Sequence, residues 1–76
     1  MSNVATSQPV QSVEQLSPRE REVLTFVGKG FSNREIAVLM QRNISTVNDH
    51  LKTIFKKLDV DNRVEAAVLA CKAGWL

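Results

Sequence analysis

The sequence predicts a small all-α fold, a bundle of four helices. Three observations carry this prediction: repeated helix start signals, apolar residues at helical spacing between them, and no alternating pattern typical of a strand. A chain of 76 residues holds one domain with a modest core. Residues 1–15 are polar and show no helical period, so we expect a flexible tail or linker there and the folded domain over residues 16–76.

The first predicted helix begins at a capping box. Ser17 precedes Pro18 at the first helical position, and Glu20 follows three residues after the cap. In such a box the serine hydroxyl and the glutamate carboxylate each accept a hydrogen bond from the other's backbone N–H. Gly30 is the expected left-handed residue beyond the end of this helix. The apolar stripe between them consists of Val23, Leu24, Phe26 and Val27.

The second predicted helix repeats this start signal and is short. Ser32 and Glu35 form the second capping box, and the helix ends near Gln41 after about two turns. Its expected apolar face consists of Ile36, Ala37, Leu39 and Met40.

The third predicted helix is the longest, from Ile44 to Leu58, with Asn43 as its cap. Its apolar residues form a single stripe at helical spacing, made of Val47, Leu51, Ile54 and Leu58. A short second helix, a tight break and a longer third helix are the arrangement of a helix-turn-helix, in which the longer helix enters the major groove of DNA.

The side of helix three opposite this stripe is polar and suits a major groove. It presents Ser45, Asp49, Lys52 and Lys56, with Asn48 and Thr46 at its borders. Lysine donates to guanine or phosphate, asparagine pairs with adenine, and a carboxylate accepts from cytosine. A solvated helix face has the same composition, and the two-helix context favours the DNA-binding interpretation.

Two residues of this helix have competing interpretations. Asp49 either discriminates at a C·G pair or forms an ion pair with Lys52 three residues on. His50 lies beside the apolar stripe, and we expect a partly buried, hydrogen-bonded packing residue rather than a catalytic base.

The fourth predicted helix has Asn62 as its cap, in a third box-like start signal with Glu65, and it is apolar on two sides. One side has Val64, Ala67, Val68 and Cys71, and the other has Ala66, Leu69, Ala70 and Ala73. One side covers the core, and the second is expected to meet another copy of the chain, since homodimers suit palindromic DNA sites. Exposed small residues on a monomer are the alternative.

Charge and composition narrow the function classes. The net charge is +2, and residues 19–76 hold all ten basic residues with seven of the eight acidic ones. The single Cys71 fits a reducing cytoplasm. We expect no catalytic residues, metal or cofactor, no membrane span or secretory signal, and no small-molecule ligand in this domain, because their sequence signatures are lacking.

The pattern resembles the LuxR/FixJ-type DNA-binding domain, the output domain of many two-component response regulators and quorum-sensing regulators. The resemblance covers residues 16–76 and is carried by segments in the same order: residues 16–24 (LSPREREVL), 30–37 (GFSNREIA), 46–47 (TV), 50–51 (HL), 57–58 (KL), Arg63 and 65–66 (EA). It implies a four-helix domain in which helices two and three form the helix-turn-helix and helix four makes the dimer. It further implies that Ala66 and Ala70 pack inward.

The side-chain chemistry of helix three and the family resemblance together predict the site residues. The expected base-contacting residues are Asn48, Asp49 and Lys52. The expected DNA-backbone contacts are Asn33, Arg42, Ser45, Thr46 and Lys56. The expected dimer contacts are Val64, Val68 and Cys71. Double-stranded DNA, a second copy of the chain and RNA polymerase are the expected partners.

Four positions depart from the family pattern. Gln41 stands where a glycine is common, Arg42 and Asn43 stand where the family has an apolar residue and then Ser or Thr, and many members have Lys at the position of Asn48. Two other functions remain open at this point. One is a promoter-binding domain like sigma-factor region four, which shares the first three helices, and the other is a protein-interaction module on the same fold.

Overall fold

The computed structural model describes residues 15–74, and this part of the chain contains four helices and no strand. The helices are α1 (Pro18–Gly28), α2 (Asn33–Met40), α3 (Ile44–Leu58) and α4 (Arg63–Lys72). The predicted all-α four-helix fold is confirmed. Most of the predicted tail, residues 1–14, lies outside the described residues, so the division into tail and domain stays a prediction.

Both predicted capping boxes at α1 and α2 are formed. The Ser17 hydroxyl accepts from the Glu20 N–H at 3.2 Å, and the Glu20 carboxylate accepts from the Ser17 N–H at 2.9 Å. At α2 the two corresponding distances between Ser32 and Glu35 are 3.1 and 2.8 Å. Each box satisfies N–H groups that a helix start would otherwise leave without a partner.

Both predicted asparagines are at the cap positions of α3 and α4, but only Asn62 makes a capping hydrogen bond. Asn43 is at the cap position of α3, but its side chain makes no capping hydrogen bond. At α4 the Asn62 side chain accepts from the Glu65 N–H at 3.0 Å, while the Glu65 carboxylate accepts from Asp61 rather than from Asn62. The third start signal is therefore half a capping box.

Three helices end in the same hydrogen-bonded turn around a left-handed residue. Gly30, Gln41 and Asp59 have φ values of +93°, +57° and +56°. In each turn the next residue donates its N–H to a carbonyl five residues back, as in a Schellman motif. These bonds are Phe31 to Phe26, Arg42 to Ala37 and Val60 to Phe55, at 2.9–3.1 Å. The left-handed Gly30 is confirmed.

The core lies where α1 packs against α3 and α4, with α2 packed against α1 and α3. The whole predicted stripe of α3 is buried, as are Ala66 and Ala70 of α4. Helix α2 contributes only Ile36 and Ala37 to the fully buried set. Leu39, expected on its apolar face, is 51% exposed, so that assignment is wrong. Two turns of helix bury too narrow a stripe to include it.

A partly buried ion pair joins α1 to α3. The Lys57 ammonium lies 2.8 Å from the carboxylate of Glu20, whose side chain is almost fully buried. Burial raises the pKa of Glu20, but the hydrogen bond and charge of Lys57 and the hydrogen bonds from Ser17 outweigh it, so the pKa is lowered overall. The same carboxylate thus caps α1 and anchors α3.

Candidate nucleic-acid interface

The polar side of α3 is exposed along its length. Because the opposite stripe is buried, the helix can turn only one face to solvent. The side chains of Ser45, Asn48, Asp49, Lys52 and Lys56 are exposed, and Thr46 is half-buried. The structure thus brings the predicted base-contacting residues together on one surface, and we call this surface the α3 outer face.

Charge on and beside the α3 outer face is mostly positive. Lys52, Lys56 and the exposed Arg42 just ahead of the helix outnumber Asp49. Within residues 15–74 the carboxylate of Asp49 forms no ion pair with Lys52, so the pairing alternative for Asp49 is not realised. Positive charge along one exposed helix face is the electrostatic footprint expected of a DNA-binding surface.

The start of α3 is open. Since the Asn43 side chain makes no capping bond, the N–H groups of Ile44 and Ser45 have no acceptor among residues 15–74, whereas the Thr46 N–H donates to the Asn43 carbonyl at 3.0 Å. The exposed hydroxyl of Ser45 and the half-buried one of Thr46 lie in this same turn. An N–H-rich helix start beside hydroxyl groups and Arg42 is a suitable environment for a phosphate oxygen.

A hydrogen-bonded chain links the α3 outer face to the starts of α2 and α4. The amide nitrogen of Asn33 donates to the amide oxygen of Asn48 at 2.8 Å. The guanidinium of Arg63 donates to the amide oxygen of Asn33 at 2.5 Å and also to the carbonyl of Phe31. Sequence reasoning placed Asn33 and Asn48 at the DNA but gave Arg63 no role. No local sequence pattern indicates a role for Arg63, because these hydrogen bonds join residues that are 15 and 30 positions apart in sequence.

Helix α4 presents a second exposed surface. Val64 and Val68 are 71% and 44% exposed, and Cys71 is exposed as well. The three predicted dimer contacts therefore share the side of α4 that faces away from the buried Ala66 and Ala70. His50 is half-buried as expected, but it makes no side-chain hydrogen bond to the described residues.

Other kinds of site were also considered. In residues 15–74 no three His, Cys, Asp or Glu side chains are grouped so that they could hold a metal ion. Within the same residues, no helix has the length and apolar character needed to cross a membrane.

Sequence comparisons with known proteins identify a family for this chain. The family described as "Bacterial regulatory proteins, luxR family" (GerE) matches residues 14–70. The chain is 37% identical over 60 residues to a putative HTH-type transcriptional regulator, YhjB, of Escherichia coli (strain K12), covering 79% of this chain and 30% of that protein. It is 42% identical over 57 residues to the response regulator protein VraR of Staphylococcus aureus (strain NCTC 8325 / PS 47), covering 75% of this chain and 27% of VraR.

A third similarity spans nearly the whole chain. A putative HTH-type transcriptional regulator, y4qH, of Sinorhizobium fredii is 35% identical over 74 residues, which is 97% of this chain and 23% of that protein. The chain thus spans less than a third of the length of these relatives. The chain belongs to the luxR family of bacterial regulatory proteins, as a helix-turn-helix domain of DNA-binding transcription regulators and not as an enzyme.

Proposed function

We propose that this domain binds duplex DNA sequence-specifically by inserting α3 into the major groove. The observation that carries the proposal is the α3 outer face, where Asn48, Asp49 and Lys52 are exposed opposite a fully buried stripe. These side chains offer the donors and acceptors that distinguish base edges in the major groove.

Contacts to the DNA backbone would flank this base-reading centre. Arg42, Ser45 and Thr46 lie at the open start of α3, Lys56 lies toward its end, and Asn33 begins α2. Backbone contacts at both ends of a recognition helix fix its register in the groove without carrying sequence information.

The relatives suggest the setting in which the domain works. Because the matched region is under a third of each relative, and VraR is named a response regulator, we infer that this domain is the output part of a larger regulator of that kind. Its occupancy of a promoter would then control transcription, with RNA polymerase as the protein partner.

Selection of bound sequences from a random duplex pool tests the DNA-reading face. The wild-type domain is expected to enrich one motif, and Lys52→Ala is expected to flatten the preference at one or two base positions. Lys56→Ala is expected to weaken binding to all duplexes and to reduce the slope of log K against log salt by about 1. Arg19→Ala is the matched control, since Arg19 is exposed at the start of α1.

Two results would contradict the proposal. Unchanged affinity and salt slope in a Lys52→Ala/Lys56→Ala double variant would show that the α3 outer face does not meet DNA. Failure of the wild-type domain to enrich any motif would favour a protein-interaction module on this fold.

We further propose that two copies bind DNA as a homodimer through the exposed side of α4. The supporting observation is that Val64, Val68 and Cys71 lie together on a surface that the core leaves uncovered. A two-fold dimer through this surface would place two copies of α3 on successive major grooves.

Cooperative binding tests the dimer. Val68→Lys would place two like charges across the two-fold axis, so cooperativity on a fragment with two half-sites should fall while affinity for one half-site is kept. Val38→Lys is the matched control, because Val38 is 72% exposed on α2 and adds the same charge elsewhere. An equal loss of cooperativity in both variants would argue against α4 as the interface.

A further inference from the structure

Arg63 determines which way two amide groups point. Arginine has only donors, so the Asn33 group that meets Arg63 must be its oxygen. The Asn33 nitrogen must then face Asn48, and the Asn48 group that meets it must be its oxygen. The orientation of both amides therefore follows from hydrogen-bonding chemistry alone, starting at a residue of α4.

This orientation leaves Asn48 with unused donors. One lone pair of its oxygen is occupied by Asn33, and its amide nitrogen makes no hydrogen bond to the described residues. Asn48 is exposed and lines an open surface depression together with Asn33, Lys52 and Arg63. A base edge at this place would meet N–H donors from both Asn48 and Lys52.

We propose that Arg63 is a positioning residue for sequence readout, which holds Asn48 through Asn33 so that its N–H donors face the major groove. The matching base groups are acceptors: purine N7, guanine O6 and thymine O4. Pairing with adenine through both amide atoms, the mode suggested by residue type, would have to use the second lone pair of the Asn48 oxygen, because the first accepts from Asn33. This inference rests on the proposed function, because it assumes that the α3 outer face meets bases.

Holding Asn48 in advance favours tight and selective binding. A free asparagine on a helix surface must be ordered when it meets a base, and that ordering opposes binding. The Arg63 guanidinium also donates a hydrogen bond to the Phe31 carbonyl just ahead of α2. One guanidinium therefore holds the start of α2 directly and the side chain of Asn48 through Asn33. The same contact joins α4 to the helix-turn-helix.

The test compares sequence preference in four variants. Asn48→Ala identifies the base position that Asn48 reads, as the position whose preference flattens. Arg63→Met removes every donor, and we expect it to lose about fivefold to tenfold discrimination at that same position, within the range of a good base contact. In the Arg63→Met/Asn48→Ala double variant no further loss is expected, and Arg19→Met controls for the lost charge.

A second variant interrupts the same series of hydrogen bonds, in case Arg63→Met folds poorly. Asn33→Ala removes the link in the middle while leaving the bond from Arg63 to Phe31 in place. It should flatten the same base position. In the free protein, the side-chain amide resonances of Asn48 should show increased mobility by ¹⁵N relaxation in both variants and should be unchanged in Arg19→Met, a readout that loss of stability alone does not produce.

The outcomes separate the two proposals. If Asn48→Ala flattens no base position while Lys52→Ala flattens one, Asn48 reads no base and the positioning role is wrong, but the proposed function stands. If neither variant flattens a position, the proposed function fails as well. If Asn48→Ala flattens a position that Arg63→Met and Asn33→Ala leave sharp, the positioning role alone is wrong. If Arg63→Met instead weakens all duplexes equally, also in the Asn48→Ala background, Arg63 contacts phosphate directly and the positioning role is again wrong.

Discussion

Replacing Gln41 by glycine should stabilise the domain. Gln41 ends α2 in the left-handed conformation, with φ +57° and ψ +46°. That conformation costs an L-residue about 1–2 kcal/mol, because Cβ crowds the following carbonyl. Glycine avoids this cost but loses about 0.5–1 kcal/mol more backbone entropy on folding. The expected net gain in the free energy of unfolding is about 0.5–1 kcal/mol, a rise in Tm of about 2–8 °C.

Two substitutions in the preceding turn provide matched controls. Gly30 ends α1 in the same kind of turn with φ +93°, and a Cβ there would meet no atom within 4 Å. Gly30→Ala should therefore destabilise by about 0.5–1 kcal/mol through the backbone alone. Lys29→Gly should also destabilise by about 0.5–1 kcal/mol, since Lys29 has a right-handed φ of −82° that any residue adopts.

Urea unfolding followed by circular dichroism at 222 nm measures all three variants. The reasoning requires opposite signs for Gln41→Gly and Lys29→Gly, with equal m-values. If Gln41→Gly and Gly30→Ala both destabilise the domain, relief of left-handed strain at Gln41 does not outweigh what the glutamine side chain contributes. The exposed Gln41 side chain would then have to stabilise the turn itself.

Two further predictions concern helix starts and acid stability. Ser32→Ala should lower the free energy of unfolding by about 1 kcal/mol, whereas Asn43→Ala should change it by much less, because only Ser32 makes the capping bond; equal losses in urea melts would refute this. Glu20→Gln should destabilise by about 1–2 kcal/mol at pH 7. Because the native-state pKa of Glu20 is lowered, its stabilisation is fully present above the unfolded pKa and is lost as pH falls through the native value. The difference in stability between wild type and Glu20→Gln should thus narrow as the pH falls below 4.5, the ordinary pKa of a glutamate, and a constant difference, or the same behaviour in Glu22→Gln, would contradict it.

Helix boundaries were predictable because they depend on neighbours in sequence. A capping box involves residues three positions apart, and the left-handed residue after a helix follows its last turn directly. The starts of α1 and α2 and the left-handed Gly30 were accordingly predicted correctly. Periodicity gave a wrong prediction of burial in the short helix α2. Leu39 fits the apolar spacing of this helix but is exposed, because two turns bury only a narrow stripe.

The link between Arg63 and the α3 outer face was beyond sequence reasoning. Arg63 has ordinary local signals, as the first residue of α4 after an asparagine cap. Its contacts depend on how α4 is placed beside the start of α2, and that placement results from packing α4 on α1. Helix propensity and residue spacing describe each helix separately, so they do not predict the distance between Arg63 of α4 and Asn33 of α2.

Helix α4 shows how packing resolves an ambiguity that periodicity cannot. Its two apolar sides are equivalent on a helical projection, and burial selects the side with alanines. Ala66 and Ala70 allow the backbone of α4 to approach α1 closely, whereas valines at those positions would hold the two helices apart. The larger Val64 and Val68 are thereby turned outward, away from the core that a 76-residue chain most needs to fill. Two β-branched residues left in solvent do not add to the stability of a lone domain, and in the proposed dimer they would be buried against a second copy.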